Sequence, residues 1–199
     1  NGLVALVPRD VADSRDLGRN RAFADDRRGQ AEVLLHARTD RHRALVAADY
    51  LERELVTTGS TLPIFWNDVA YPQYGLVADA VLALDAAGTG QDAAAAATEV
   101  LARDNKKYIG YDEDTDAATP DAVYAGPIAK LLNVAVAQGV DPAAFGGVDL
   151  VATLQGLEQQ NGRFSDVSPV FGDSSNTFGQ SFAVIGLGRI GKLVAQRAM

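Results

Sequence analysis

The chain of 199 residues contains no cysteine and only two histidines, His36 and His42. The absence of cysteine excludes a disulfide framework, a thiolate zinc site and a cysteine nucleophile. Two histidines leave almost no place for a catalytic histidine or a histidine-rich metal site. We therefore expect neither a bound metal nor a cofactor.

Long apolar runs are also missing, since none approaches the roughly 20 residues that span a bilayer. The chain shows no charged segment followed by an apolar one, as a signal peptide would. Its formal net charge of -8 opposes binding to a nucleic-acid backbone, which requires clustered lysine and arginine. The sequence thus predicts no membrane span and no nucleic-acid partner. Alanine is abundant and β-branched runs are rare, which favours an all-α fold.

Residues 1–43 differ from the rest because they combine many arginines with interspersed acids and show no apolar period. Such a mixture buries too little apolar area to offset the entropy of ordering. We expect a poorly ordered, Arg-rich leader over 1–43 and a single domain over 44–199; an arginine-rich contact arm is the alternative. Nine arginines fall in this segment: Arg9, Arg15, Arg19, Arg21, Arg27, Arg28, Arg38, Arg41 and Arg43.

From residue 44 two kinds of predicted helix alternate. Residues 43–56, 92–109 and 148–160 carry an apolar stripe, whereas 74–88, 124–139 and 178–191 are apolar nearly all round and should be enclosed. Helix ends are predicted at glycines and starts at aspartates. An aromatic residue and a glycine open each apolar helix. These signals are Gly88 and Gly139 as ends, Asp92 and Asp141 as N-caps before Pro142, and Tyr74-Gly75, Tyr124-Ala125-Gly126 and Phe178-Gly179 as openings.

An outer ring of half-exposed helices around an inner ring of enclosed ones satisfies both patterns. This is an α/α toroid, here a partial barrel of about three helical hairpins. The segment with Gln159, Gly162 and Phe164 resembles the repeat of the terpenoid cyclase and prenyltransferase toroids. Residues 124–154 and 176–187 resemble secreted actinobacterial proteins with prenyltransferase or squalene-oxidase repeats. This resemblance implies an extracellular or cell-wall location.

The metal and thioester motifs of those toroid families are absent from the sequence, which weakens the inference to an enzyme. An acidic stretch, with Asp112, Asp114 and Asp116 at alternate positions, departs from both a calcium loop and a D-x-D-D acid motif. A solvated acidic loop is the simpler interpretation.

Gly186, Gly188 and Gly191 have the G-x-G-x-x-G spacing of a dinucleotide-binding turn. Such a turn needs a strand before it and a second strand with an acidic residue after it. The printed sequence holds no second strand after Gly191. The same residues also complete the third apolar helix, with Gly186 and Gly188 allowing close helix contact. A fragment of an NAD-dependent 2-hydroxyacid dehydrogenase is therefore the least favoured alternative.

Among the charged residues within the apolar helices, Asp79 and Lys130 are expected to face the centre of the predicted toroid near the same depth. They form either a structural ion pair or a ligand-facing pair. Aromatic and hydrogen-bonding residues before and within the apolar helices form either a binding rim or a packed lid. The predicted ligand-binding residues are Trp66, Asp68, Tyr71, Tyr74, Tyr124, Lys130, Phe178 and Gln180, with Asn176 on the same rim.

These features favour a non-catalytic domain that binds a small apolar ligand or a protein partner in a central cavity. The alternative is an isoprenoid cyclase or prenyltransferase relative, for which Asp79 is the candidate catalytic acid.

Overall fold

The computed structural model describes residues 37–110 and 122–197, with side chains to residue 192. Backbone contacts divide the chain into two units, Asn1–Ala44 and Leu45–Met199. The described ranges are mostly helical and contain one two-stranded sheet. The prediction of an all-α fold is confirmed at this level.

Seven helices and two strands follow one another in the described ranges. In chain order they are α1 over residues 37–57, β1 Ile64–Trp66, β2 Val69–Tyr71, α2 Tyr74–Ala87, α3 Gln91–Arg103, α4 Asn105–Ile109, α5 Ala125–Ala137, α6 Leu150–Gly156 and α7 Thr177–Arg197.

The prediction for the leader falls mostly on residues outside the described ranges. Its last part, residues 37–43, is helical and forms the beginning of α1. Residues 37–57 contain neither glycine nor proline, and helix formers such as alanine and arginine are frequent. The exposed pair Arg43 and Asp40, three residues apart with 3.9 Å between Nη1 and Oδ1, adds little stability.

Helix α5 lies at the centre of the second unit and packs against α2, α3, α4, α6 and α7. Its residues Ile128, Leu131, Leu132 and Val134 are fully buried. Burial of each such side chain stabilises the fold by about 1.5 to 3 kcal/mol relative to exposure. Helix α5 is therefore apolar on nearly all faces because the surrounding helices enclose it, as predicted.

Two predicted helix ends are confirmed at Gly88 and Gly139, which have φ values of 69° and 67°. After α5, Gly139 and Val140 donate their N–H groups to the carbonyls of Val136 and Ala135. This closes the helix with a left-handed residue, a conformation that glycine adopts without steric cost.

The predicted N-caps are wrong. Helix α3 begins at Gln91 after Gly90, so Asp92 lies inside the first turn. Asp141 accepts a hydrogen bond from the Ala143 N–H in a turn that includes Pro142, and Asp149 caps α6 by accepting from Ala152. Two left-handed glycines between these aspartates, Gly146 and Gly147, delay the start of that helix.

The helix predicted over residues 92–109 is broken at Asp104. The buried side chain of Asn105 donates to the carbonyls of Ala102, Phe145 and Gly146, at 2.8, 3.0 and 3.2 Å from Nδ2. A side-chain amide that satisfies these carbonyls competes with the regular helical hydrogen bonds. The chain therefore turns and starts again as α4.

The segment before α2 is a β-hairpin instead of an irregular connection. Asn67 and Asp68 have φ values of 48° and 62°, as a type I′ turn requires. Strands β1 and β2 are antiparallel, with Ile64 paired to Tyr71 and Trp66 to Val69.

Helix α7 differs from the predicted third enclosed helix in length and burial. It continues past Gly191 to Arg197, and its buried residues form one narrow face of Gly179, Ala183 and Gly186. Val184 is 70% exposed because α7 packs mainly against one helix, α5. The prediction that α7 is enclosed on most sides is therefore wrong.

Candidate functional site

Asp79 of α2 and Lys130 of α5 form an ion pair between the two helices. The distance between Lys130 Nζ and Asp79 Oδ1 is 2.8 Å, which confirms the predicted contact. The Lys130 side chain is 16% exposed and that of Asp79 50%. Lys130 Nζ also lies 5.2 Å from the centre of the Phe182 ring, a cation–π contact. The ammonium is therefore the more deeply held partner of the pair.

A cavity of about 440 Å³ opens beside this ion pair. Helices α2, α4, α5 and α7 contribute to its wall, together with the residue before α7. Three aromatic rings and one proline form an apolar wall, and the ion pair places charged groups at one position in the lining. Its lining residues are Asp79, Tyr108, Gly126, Pro127, Lys130, Asn176, Phe178, Gly179 and Phe182.

Glycines at the start of the helices let the backbones approach at this cavity. A Cβ atom on Gly179 would lie 3.0 Å from the Cα of Gly126, so α5 and α7 cross here in backbone contact. A Cβ atom on Gly75 would lie 3.2 Å from the Tyr108 hydroxyl. The glycines that open the apolar helices thus have a steric reason in the structure.

The three aromatic residues at the starts of the apolar helices make different contacts. Tyr74 packs against Tyr108, with ring centres 6.3 Å apart and planes inclined by 44°. The Tyr124 hydroxyl donates to Ser168 Oγ at 3.5 Å, and Phe178 lines the cavity although the residue is 78% exposed. Only Phe178 of the three reaches the cavity.

Tyr108 brings a neutral hydroxyl group to the cavity. Burial, and to a smaller extent the negative charge of Asp79, raise the pKa of Tyr108 to about 12. The phenol is therefore protonated at neutral pH and available as a hydrogen-bond donor. Sequence reasoning missed Tyr108 and also Phe182. Phe182 could have been found, since it lies one helical turn after Phe178.

A loop between α6 and α7 positions the start of α5 at the rim of the cavity. Asp166 accepts a hydrogen bond from the Ala125 N–H, with 2.8 Å between Oδ1 and N. Ser174 donates to the other Asp166 oxygen. This carboxylate satisfies a backbone donor that no residue within α5 can satisfy and interacts favourably with the helix dipole.

The same loop is braced by Arg163 and Asp173, which form a charged hydrogen bond. Hydrogen bonds from the Ser175 hydroxyl and N–H, then from the Asp166 N–H and Arg163, hold the pKa of Asp173 well below its usual range. These bonds connect the loop internally and fix the direction from which Asp166 reaches α5.

Besides Tyr74 and Tyr124, four further predicted binding residues do not line the cavity. Gln180 holds the backbone of buried Phe164 through Oε1 and Nε2, at 3.0 and 2.6 Å. Trp66, Asp68 and Tyr71 lie on the exposed hairpin. Trp66 is 70% exposed, and none of these three side chains lines the cavity. The structure thus brings Asp79, Lys130 and Phe178 together, with Asn176 beside them.

A second depression, of about 630 Å³, lies near the end of α5 and the start of α6. Its two carboxylates, Asp141 and Asp149, already accept hydrogen bonds from nearby backbone groups. It lacks the aromatic wall of the first cavity and is a weaker candidate site.

The glycine motif lies within a continuous helix, since α7 covers Thr177–Arg197. A dinucleotide-binding turn requires a strand directly before its first glycine, and residues 182–187 are helical. The dehydrogenase interpretation therefore lacks its structural element.

The acidic stretch with Asp112, Asp114 and Asp116 lies outside the described residues. In the ranges that are described, no group of three or more His, Asp or Glu residues is placed to hold a metal ion. No helix in those ranges is both long and apolar enough to cross a membrane. Comparison with protein-family models, curated proteins and solved structures finds no significant match.

Proposed function

We propose that this chain is a non-catalytic binding domain of the α/α-toroid type, and that it holds a small, largely apolar molecule in the cavity beside Lys130 and Asp79. One observation carries the proposal: an ion pair stands at one point of a cavity whose other walls are aromatic rings and glycine backbone. Ligand sites typically combine a mainly apolar surface with few polar groups that fix orientation.

The helix packing supports the toroid part of the proposal. The proposed inner helices α2, α5 and α7 pack in sequence, α2 on α5 and α5 on α7. Of the proposed outer helices, α3 packs mainly on α2, and α6 packs on α5. The resemblance to secreted toroid-repeat proteins agrees with this order. On the basis of the same resemblance, we also propose an extracellular or cell-wall location.

Binding is preferred to cyclase chemistry because of the environment of Asp79. An acid that protonates an alkene has to be a neutral carboxyl group in a dry pocket. Asp79 accepts a charged hydrogen bond from Lys130, and half of its side chain is exposed. Its surroundings suit a polar contact with a ligand better than proton donation to carbon.

The test is a fluorescence titration with the neutral apolar probe N-phenyl-1-naphthylamine, whose emission rises in apolar sites. Phe178→Ala removes a cavity wall, and Phe65→Ala removes a similarly exposed ring from the hairpin. We expect Phe178→Ala to weaken binding about tenfold, the equivalent of about 1.4 kcal/mol of lost apolar contact, and Phe65→Ala to leave it unchanged. Absence of binding, or loss in Phe65→Ala alone, would contradict the cavity site.

A protein partner is the second candidate, favoured by the hairpin. Phe65 and Trp66 are 71% and 70% exposed, and Tyr71 is 47% exposed. Aromatic side chains grouped on an exposed surface are typical of protein contacts. Loss of probe binding in Phe65→Ala but not in Phe178→Ala would favour this candidate.

A further inference from the structure

Three polar groups of different character converge on the cavity. Lys130 Nζ has three N–H groups, and among the described residues its acceptors are Asp79 Oδ1 and, at 3.5 Å, the Gly75 carbonyl. The Tyr108 hydroxyl makes no hydrogen bond within the described ranges, although it lines the cavity. Oδ2 of Asp79 has no donor there either. Of these three groups, the ammonium and the phenol are donors and the carboxylate oxygen is an acceptor. Asn176 also lines the cavity, and its Oδ1 accepts from the Gly179 N–H.

The charges of these groups restrict the ligand. An anionic ligand would gain from Lys130 but meet the Asp79 carboxylate, which lies against the ammonium at 2.8 Å. A cationic ligand would gain from Asp79 but meet the ammonium. Like charges at such separations disfavour binding, and a charged ligand also loses hydration on entering. A neutral ligand meets neither cost.

A hydroxyl group fits the three polar groups better than other neutral groups. Its oxygen accepts from Tyr108 or Lys130 while its hydrogen donates to Asp79. A carbonyl or ether accepts but leaves the Asp79 oxygen without a donor. Hydrogen bonds to charged groups are stronger than neutral ones, so the donated bond to the carboxylate contributes most.

The apolar walls define the rest of the ligand. The rings of Phe178, Phe182 and Pro127 face the cavity, and the contact between Gly126 and Gly179 leaves a surface without side chains. Flat aromatic or alicyclic rings pack well on such surfaces. The volume of about 440 Å³ falls in the range of small-molecule sites.

We infer that the cavity selects neutral, ring-bearing alcohols or phenols over charged molecules of the same shape and over hydrocarbons that lack the hydroxyl group. This inference rests on the proposed function, because it requires the cavity to hold a small molecule. It assigns Lys130, Asp79 and Tyr108 as the groups that orient the ligand.

The experiment is equilibrium dialysis of the protein at neutral pH with four probes of one shape: 2-naphthol, 2-methylnaphthalene, 2-naphthoate and 2-naphthylmethylammonium. We expect 2-naphthol to bind about tenfold more tightly than 2-methylnaphthalene, the effect of one or two hydrogen bonds, and the two charged probes to bind more weakly than 2-naphthol. Equal affinity for 2-naphthol and 2-methylnaphthalene would overturn the inference but leave the proposed function intact. Failure of all four probes would contradict both.

Two variants, Tyr108→Phe and Asp79→Asn, test which residues produce the selectivity among the probes. Tyr108→Phe removes only a hydroxyl and retains the ring packed on Tyr74, so the fold is preserved. We expect a loss of about threefold to tenfold in affinity for 2-naphthol and no change for 2-methylnaphthalene. Asp79→Asn should raise affinity for 2-naphthoate, since it removes the repelling charge. Identical probe profiles in both variants and the parent protein would overturn the assignment of these residues.

Discussion

Two glycines in α7 provide a test of how closely this helix packs on α5. A Cβ atom added at Gly186 would lie 2.8 Å from Leu132 Cδ2 and 3.1 Å from Asn133 Nδ2, whereas at Gly188 nothing lies within 4 Å. The two positions are two residues apart in one helix, so Gly186→Ala and Gly188→Ala share the same change in helix propensity. The difference between the two variants in the free energy of unfolding therefore measures the packing contact at Gly186.

The magnitudes follow from these contacts. Alanine in place of glycine stabilises a helix interior by up to about 1 kcal/mol, which is the whole effect expected for Gly188→Ala. An extra methyl group in a packed contact costs about 1 to 3 kcal/mol. The Leu132 side chain can rotate, but Asn133 Nδ2 donates to the carbonyls of Ala129 and Phe182 and cannot move without weakening both bonds. We expect a net loss of about 1 kcal/mol for Gly186→Ala.

The assay is unfolding by urea and by heat, followed by far-ultraviolet circular dichroism. The two variants should differ by about 2 kcal/mol, or about 4 to 8 °C in Tm for a chain of this size, with Gly188→Ala the more stable. The unfolding slope with urea should be unchanged, because both variants bury the same surface. Equal stabilisation by the two substitutions would refute the close contact between α5 and α7 at Gly186.

Three further predictions concern the loop and the cavity. Asp166→Ala should lower the free energy of unfolding by about 1 kcal/mol, since it removes the acceptor for the first N–H of α5; an unchanged urea midpoint would contradict this. Hydrogen bonds from Ser175 lower the folded-state pKa of Asp173, so its stabilisation is present above the unfolded-state pKa of about 4 and is lost as pH falls through the folded-state value. The urea midpoint of Asp173→Asn should therefore fall less than that of the parent protein on acidification, and parallel curves would contradict this. Burial and then the Asp79 charge raise the pKa of Tyr108 to about 12, so the ultraviolet titration of the parent protein should show ionisation near pH 12 that is reduced by one tyrosine in Tyr108→Phe; identical titration curves would contradict this.

Features set by local sequence were predictable. Gly88 and Gly139 end their helices as expected, because a left-handed residue after a helix depends only on neighbouring backbone groups. The contact between Asp79 and Lys130 was also predictable, since a charge on the enclosed face of an apolar helix needs a partner and these two residues have opposite charges.

Features set by distant contacts were not predictable. The break before Asn105 depends on the carbonyl of Phe145, forty residues later in the chain. Tyr108 reaches the cavity only because α4 starts again after that break. The exposed face of α7 depends on how many helices surround it, which periodicity cannot tell.

The hairpin is a different kind of error, because its signal was present in the sequence. Asn67 and Asp68 tolerate left-handed conformations and separate two short segments rich in β-branched and aromatic residues, which is typical of a two-residue hairpin turn. The prediction that Trp66 and Tyr71 line the rim of the cavity requires an irregular connection before α2. The hairpin places both residues on its own strands instead.

The place of the cavity follows from the spacing between the glycines and the charges. Asp79 and Lys130 each lie four residues after a glycine, Gly75 and Gly126, so each charge lies on the same helix face as its glycine, one turn further along. The glycine lets another part of the chain approach, and the charge then faces the space beside that approach. In α7 the residue four positions after Gly179 is Ala183, which is small and buried. No third long polar side chain enters from α7 at that level, and the neighbouring Phe178 and Phe182 supply apolar walls, so the space beside the ion pair stays open to a ligand.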